Sequence, residues 1–170
     1  PFGAVEQHGP HLPLATDSIF VDEIMSEVFE LFSPDIPLKK LPTQYIGFSP
    51  EHKGFAGTIS LSSNLITSMI KEVGGQLSEM GFKRLILING HGGQISLLNT
   101  AARELRSSAP GMAVFPCFLW SGVNGLSELL TKTEMEDGLH ASLAETSLML
   151  ALKPELVGDE RPNEANKLDI

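Results

Sequence analysis

At 170 residues the chain is long enough for one domain with a substantial core. A formal charge of −9 argues against nucleic acid or an anionic membrane surface as partner, and no apolar run reaches membrane-spanning length. The single Cys117 excludes an internal disulfide, and with no recognisable signal peptide a reducing cytoplasm is the expected compartment.

The chain opens at Pro1 on Phe2-Gly3-Ala4-Val5, which reads as the end of a strand already under way. Thr16, Asp17 or Ser18 can cap a helix reaching about Phe32, with Phe20, Ile24, Val28 and Leu31 near helical spacing; Ser33-Pro34 ends it. Lys39 to Tyr45 is predicted as a strand, and Thr58 to Leu61 as a short strand or a strand-like segment. Ser62, Ser63 or Asn64 caps a second helix, apolar from Leu65 to Met80, and Gly81 stops it where a left-handed residue is wanted. Arg84 to Asn89 has the continuous apolar character of a parallel strand buried on both faces. A helix over Gln94–Ser108, a strand over Met112–Leu119, a short helix near Leu126–Leu130 and a helix from His140 to Leu152 complete the predicted elements. Asp137 is read as the N-cap of that last helix, and Cys117 as a buried hydrophobe. Alternating strands and helices predict an α/β fold with a doubly wound parallel sheet.

Three segments carry unusual chemistry. Glu6, His8, His11 and Asp17 place two carboxylates and two imidazoles in a stretch kept from regular helix by Gly9, Pro10 and Pro13. Carboxylate oxygen and imidazole nitrogen suit zinc, manganese and iron. Glu6 and His8, two apart on an extended segment, point to one side. Asn89-Gly90-His91-Gly92-Gly93 follows an apolar strand, at the carboxyl edge where open α/β sheets place their sites. His140 and Glu145 lie close together in the third segment. On an ideal helix they are rotated by about 140°, which argues against one ion taking both. Glu145 inside a helix needs a metal or an arginine to justify burial. An isolated Glu-x-His is common by chance; three separated segments that each bring metal-type ligands point to a shared site. His11 is expected to pack within its own loop, and the Gly92-Gly93 pair is either a tight turn or a close approach of backbone to ligand.

In this order the segments resemble the creatininase (creatinine amidohydrolase) family, which carries E-x-H-G-x-H-L-P…D, N-G-H and H-x-x-x-x-E-T-S. Gly47 to Leu61 is similar to the family's H-x-x-F-P-G-T segment, with Ala56 where proline is usual, so the resemblance runs from Pro1 to about Val157. It implies a three-layer α/β/α sandwich around a mostly parallel sheet. It also implies two divalent ions per subunit (Zn, Mn or Fe), one taking Glu6, Asp17 and His91 and the other His8, Asp17 and Glu145. Asp17 would bridge them, a water between them would become the nucleophile, and His140 would carry its proton to the departing nitrogen. The implied reaction is hydrolysis of a non-peptide or cyclic amide or formamide C–N bond in a small-molecule substrate, by a homo-oligomer, in the family often a hexamer.

Substrate contacts are expected from Ser49, His52, Gly93, Trp120 and Glu136. His52 is either such a contact or a surface-loop histidine, and Trp120 faces either substrate or core. Creatininase proper has glutamate at the Gly93 position and tryptophan at Glu136, which argues against creatinine as substrate. N-G-H-G-G is similar to branches that hydrolyse formamides or trim a small peptide, although Gln94 stands where those have asparagine. Relatives carry another strand and helix before Pro1 and further residues beyond Ile170, so a single domain lacking flanking elements is expected, with residues 158–170 as a polar tail. Two alternatives stay open: a truncated, inactive relative that binds metal or a partner, and a small-peptide-trimming metallopeptidase.

Overall fold

The computed structural model describes residues 1–138 and 140–161; the greater part of the expected polar tail lies outside the described residues. Two strands, β1 (Arg84–Asn89) and β2 (Ala113–Phe118), pair in parallel register from Arg84 with Ala113 to Asn89 with Phe118. The helix α3 (Ile95–Ser108) makes the crossover between them, as a parallel pair requires. Phe2 extends the sheet at the other edge of β1 through parallel bridges to Asn89 and Gln44. This is an α/β architecture.

Two apolar clusters lie between the layers. In the first, α2 (Ser63–Glu79) and α3 send Ile66, Ile70, Leu98 and Leu105 onto Leu87 and Val114 of the sheet. Each such side chain contributes about 1.5–3 kcal/mol by leaving water. In the second, Phe20 of α1 (Thr16–Leu31) meets Met149 of α6 (Leu143–Leu152) and Leu12 of the loop before α1. Two short helices, α4 (Leu126–Leu129) and α5 (Lys132–Asp137), lead from β2 to α6. Among the described residues no helix is long and apolar enough to cross a membrane.

Several expected elements come out differently. Lys39–Tyr45 is not a strand: Pro42 has no N–H to offer, and the segment makes only the Gln44 bridge. Thr58–Leu61 is the strand-like alternative, with one antiparallel bridge, Ile59 to Val5. The start of α1 has Ala15 at the cap position and no side-chain cap. Its polar residues are engaged elsewhere: Thr16 Oγ1 donates to Pro13 O (2.6 Å), and Ser18 Oγ lies within reach of Ala4 O and Tyr45 O. Ser62 does cap α2, and Gly81 sits at φ +96° after it, as expected.

The sheet is not buried on both faces. The odd residues Leu85 and Leu87 face the α2–α3 layer, whereas Ile86 is 46% and Phe115 47% exposed, and Cys117 is exposed rather than buried. The reason is where α1 crosses. Val21 approaches the carboxyl end of β1 so closely that a Cβ at Gly90 would lie 2.7 Å from its Cγ2. The covering layer therefore sits over the end of the sheet that carries the ligand-type residues.

Asp22, one turn along α1, ties this helix to the irregular segment beside it. Its carboxylate accepts from Lys40 Nζ (2.9 Å), Thr43 Oγ1 (2.5 Å) and the Tyr45 hydroxyl. Burial works against the charge, but these three donors hold the carboxyl below its ordinary range. Each bond to the charged group contributes about 1 kcal/mol or somewhat more, so the segment is anchored without strand pairing.

Candidate metal centre

The three sequence segments meet at the carboxyl end of the sheet. Backbone bonds Glu6 N to Leu14 O (2.9 Å) and Ile59 N to Val5 O (2.9 Å) hold the extended run that carries Glu6 and His8. Asp17 comes from the first turn of α1. His91 follows β1 directly and is braced by Asn89, whose Oδ1 accepts from His91 N (3.0 Å) and whose Nδ2 donates to His91 O (2.8 Å).

The third segment corrects the helical-wheel expectation. Helix α6 begins at Leu143, so His140 lies before it, and Asp137 closes α5 instead of capping α6. Ala141 turns at φ +48°, a left-handed conformation that costs a non-glycine residue energy, and Ser142 then caps α6. Ser142 and Glu145 form a capping box: Ser142 Oγ accepts from Glu145 N (3.3 Å), and Glu145 Oε2 accepts from Ser142 N (3.4 Å). This kink brings His140 and Glu145 together. His8, His140 and Glu145 each offer a ligand atom within 4.8 Å of the others, as do Glu6, Asp17 and His91, and Glu6, His52 and His140.

Asp17 lies between two imidazoles, with Oδ1 3.4 Å from His8 Nε2 and Oδ2 3.1 Å from His91 Nδ1. Glu6 Oε1 is 3.2 Å from His91 Nδ1, 4.0 Å from His8 Nε2 and 3.7 Å from His140 Nδ1. Glu6, His8, Asp17 and His91 are each at most 3% exposed. Among the described residues no lysine or arginine pairs with Glu6, Asp17 or Glu145. Burying carboxylates with no fixed cation is costly.

The ring orientations fit a cation. His8 Nδ1 is 3.2 Å from the Glu6 carbonyl and His91 Nε2 is 3.1 Å from the Phe48 carbonyl; each nitrogen donates there in the neutral tautomer. The opposite nitrogens then aim lone pairs at carboxylate oxygens, an arrangement that only a proton or a metal ion makes favourable. His8 Nε2 and Asp17 Oδ2 find no hydrogen-bond partner. Without an ion, protons serve. Burial disfavours the charge on His8, yet Asp17, Glu145 and Glu6 outweigh it and raise its pKa to about 9. His91 is likewise penalised by burial and pushed up to about 12 by Asp17, Glu51 and Glu6. Asp17 is held well below the usual carboxylate range by the two histidines, against its burial. Burial and the Asp17 charge raise Glu145 to about 7, despite the opposing pull of His8.

These shifts carry a sign. A group with a raised folded-state pKa stabilises the fold fully below its unfolded value and loses that stabilisation as pH climbs through the folded value. The metal-free chain should therefore lose stability from His8 between pH 6.5 and about 9, roughly 3 kcal/mol from that residue alone. Glu145 acts in the same direction between pH 4.5 and about 7. With zinc present the ion competes with these protons, so stabilisation should instead grow with pH. Melting curves from pH 6 to 9, with chelator and with zinc, should diverge; parallel curves would contradict the proton-for-metal exchange.

The remaining expected site residues divide. Ser49 and His52 are buried, and both engage Glu6 Oε2, Ser49 through its hydroxyl and His52 through Nδ1 at 2.9 Å. Gly93 lies beside His91. Trp120 packs edge-on to Phe20 with centroids 6.1 Å apart, in the second apolar cluster. Glu136 is exposed on α5 beside Lys132 and is not brought to the cluster. His11 bonds outside its loop, Nε2 to Thr146 Oγ1 of α6 at 2.8 Å. Gln94 bonds no ligand directly: its Nε2 donates to Asn89 Oδ1 (3.0 Å) and Gly3 O (3.1 Å), and its Oε1 accepts from Phe48 N (3.1 Å). Sequence reading passed over Glu51, whose Oε1 is 3.1 Å from His91 Nε2. Its only signal was adjacency to His52.

His140 stands apart electrostatically. Its Nε2 donates to the Gln7 carbonyl, and its ring stacks on His52 at 4.2 Å. Burial, reinforced by His8 and His52, lowers its pKa to about 4. It is thus a neutral imidazole with Nδ1 free to accept a proton.

Comparison with known proteins places these features in a wider group. The profile of the family described as creatininase, creatinine amidohydrolase, matches residues 1–169. The mycofactocin precursor peptide peptidase of Mycobacterium tuberculosis (strain CDC 1551 / Oshkosh) is 33% identical over 176 residues. That match takes in 100% of this chain and 64% of the relative, so the chain spans under two thirds of the relative's length. A zinc–zinc form of a glutamate-to-glutamine creatininase variant superposes with a TM-score of 0.76 at 28% identity, over 93% of this chain and 65% of that one. A manganese form of creatininase gives 0.71 at 25% identity, over 100% and 72%.

Proposed function

Because the chain belongs to the creatininase family, we propose that it hydrolyses amide C–N bonds with divalent ions held among Glu6, His8, Asp17, His91 and Glu145. The observation that carries this reading is Asp17, which turns one oxygen to His8 and the other to His91 in a buried cluster that, among the described residues, holds no lysine or arginine. In this reading Glu6, Asp17 and His91 hold one ion, and His8, Asp17 and Glu145 the other. The mixed nitrogen and oxygen donors suit zinc, manganese or iron. When bound, such ions polarise a carbonyl and make water acidic enough to serve as a nucleophile near neutral pH.

The chain's own residues supply positioning and proton transfer. Ser49 and His52 orient the Glu6 carboxylate by occupying its Oε2, which leaves Oε1 turned toward His91. His140, neutral and anchored through Nε2, takes up a proton at Nδ1 and returns it to the departing nitrogen. The bond broken is an amide: a formamide, a cyclic amide, or the terminal amide of a short peptide. The similarity to a peptide peptidase supports keeping the last of these beside the non-peptide amides. Self-association remains part of this reading through the family resemblance, and a reducing cytoplasm through the single Cys117.

The test is elemental analysis of folded protein purified without chelator, followed by a screen of formamides, cyclic amides and short peptides. About two ions per chain with turnover in the screen are expected. No ion in a folded chain offered zinc and manganese would overturn the reading, whereas two ions without turnover would favour a relative that binds but does not hydrolyse.

A further inference from the structure

One short turn reaches two of the presumed ligands at once. The 3-10 turn Pro50–His52 is closed by Lys53 N to Pro50 O (3.2 Å) and tethered where Ser49 N donates to Ser60 Oγ (2.9 Å). From it, Ser49 and His52 hold Glu6, while Glu51 extends to His91 Nε2 at 3.1 Å. The Glu51 side chain is 32% exposed and that of His91 only 4%, so this carboxylate enters the cluster from its solvent edge. What admits it is the residue at position 93. A Cβ built on Gly93 would collide with the Glu51 carboxylate and lie 2.7 Å from His91 Nε2. Any side chain at 93 and the present position of Glu51 exclude each other.

We propose that Glu51 is the positioning carboxylate of His91, seated in the space that Gly93 leaves open. The Phe48 carbonyl, which accepts from Nε2–H, fixes the tautomer whose Nδ1 lone pair faces Glu6 and Asp17, and the Glu51 charge 3.1 Å from the same nitrogen makes Nδ1 a stronger donor to an ion. The carbonyl itself carries no charge, so Glu51 adds basicity to the orientation that Phe48 provides. The inference rests on the reading of His91 as a metal ligand.

The experiment is zinc competition against a chromophoric chelator for the wild-type chain, Glu51→Gln and Glu51→Ala, with imidazole nitrogen–proton correlation spectra of each zinc-loaded protein. Glu51→Ala should weaken one of the two sites by about 10–100-fold. Glu51→Gln, which keeps an acceptor without the charge, should fall between it and wild type. In both variants the His91 Nε2 proton should shift and exchange faster, a change that general loosening of a half-exposed loop would not confine to one ring. Unchanged affinity and an unchanged His91 signal in Glu51→Ala, with wild type binding two ions, would overturn this inference alone. Failure of the folded wild-type chain to bind zinc would overturn the metal reading and the inference together.

Discussion

Replacing Asp17 with alanine is expected to strip the chain of both ions and of hydrolysis while leaving it folded. Asp17 offers one oxygen toward His8 and the other toward His91, so it faces both halves of the cluster. Its loss leaves Glu6 and His91 on one side and His8 and Glu145 on the other, two donors each and none shared. The fold should survive because α1 is held by Phe20 and Val21, both fully buried, and by the Asp22 anchor. With Asp17 gone, His8 also loses its nearest counter-charge, so its pKa should drop back from about 9 and the high-pH loss of stability in the metal-free chain should shrink. Elemental analysis together with circular dichroism reads both effects. A folded variant that retains two ions would contradict the bridging role.

His140→Ala should do the opposite, keeping the ions and losing rate. A positioned acid–base residue contributes typically about 10²–10⁴-fold, and a loss in that range is expected in kcat with metal content unchanged. His140 also lies within reach of ligand atoms on both sides, Glu6 with His52 and His8 with Glu145, so metal content separates a ligand from a proton carrier. Its commitment through Nε2 to Gln7 leaves Nδ1 as the only free nitrogen, and the lowered pKa keeps that nitrogen unprotonated at neutral pH. The acidic limb of the rate profile should disappear in the variant. Loss of one ion would make His140 a ligand; unchanged turnover would remove it from the mechanism.

Much of this arrangement was legible in the order of residues. Glu6, His8, Asp17, His91 and Glu145 stand out as carboxylates and imidazoles within the three segments, the resemblance implies that they act together, and the structure gathers all five. The helices α2 and α3 and the strands β1 and β2 were readable to within a few residues, since each has a clear apolar period or run and Ser62 and Gly81 mark the ends of α2. Trp120 and Glu136 were less legible: an aromatic after a strand suits core and pocket equally, and one exposed glutamate on a short helix resembles any other.

By itself, then, the sequence determined which carboxylates and imidazoles were candidates, the α/β alternation and the family resemblance, because these depend on residue identity and short-range spacing; only the resemblance implied which of them would share an ion. The tertiary structure decided everything that depends on distance through space. It decided that His140 and Glu145 meet, because a left-handed Ala141 and a Ser142 cap break the helix that periodicity would have continued. It decided that Lys39–Tyr45 is anchored by Asp22 and not by a strand ladder, because Pro42 cannot donate to one. Ile86 and Cys117 are open because α1 crosses only the carboxyl end of the sheet, a placement no strand pattern encodes. And Glu51 reaches His91 because a residue some forty positions away has no side chain, a fact about vacant volume that a linear sequence does not express.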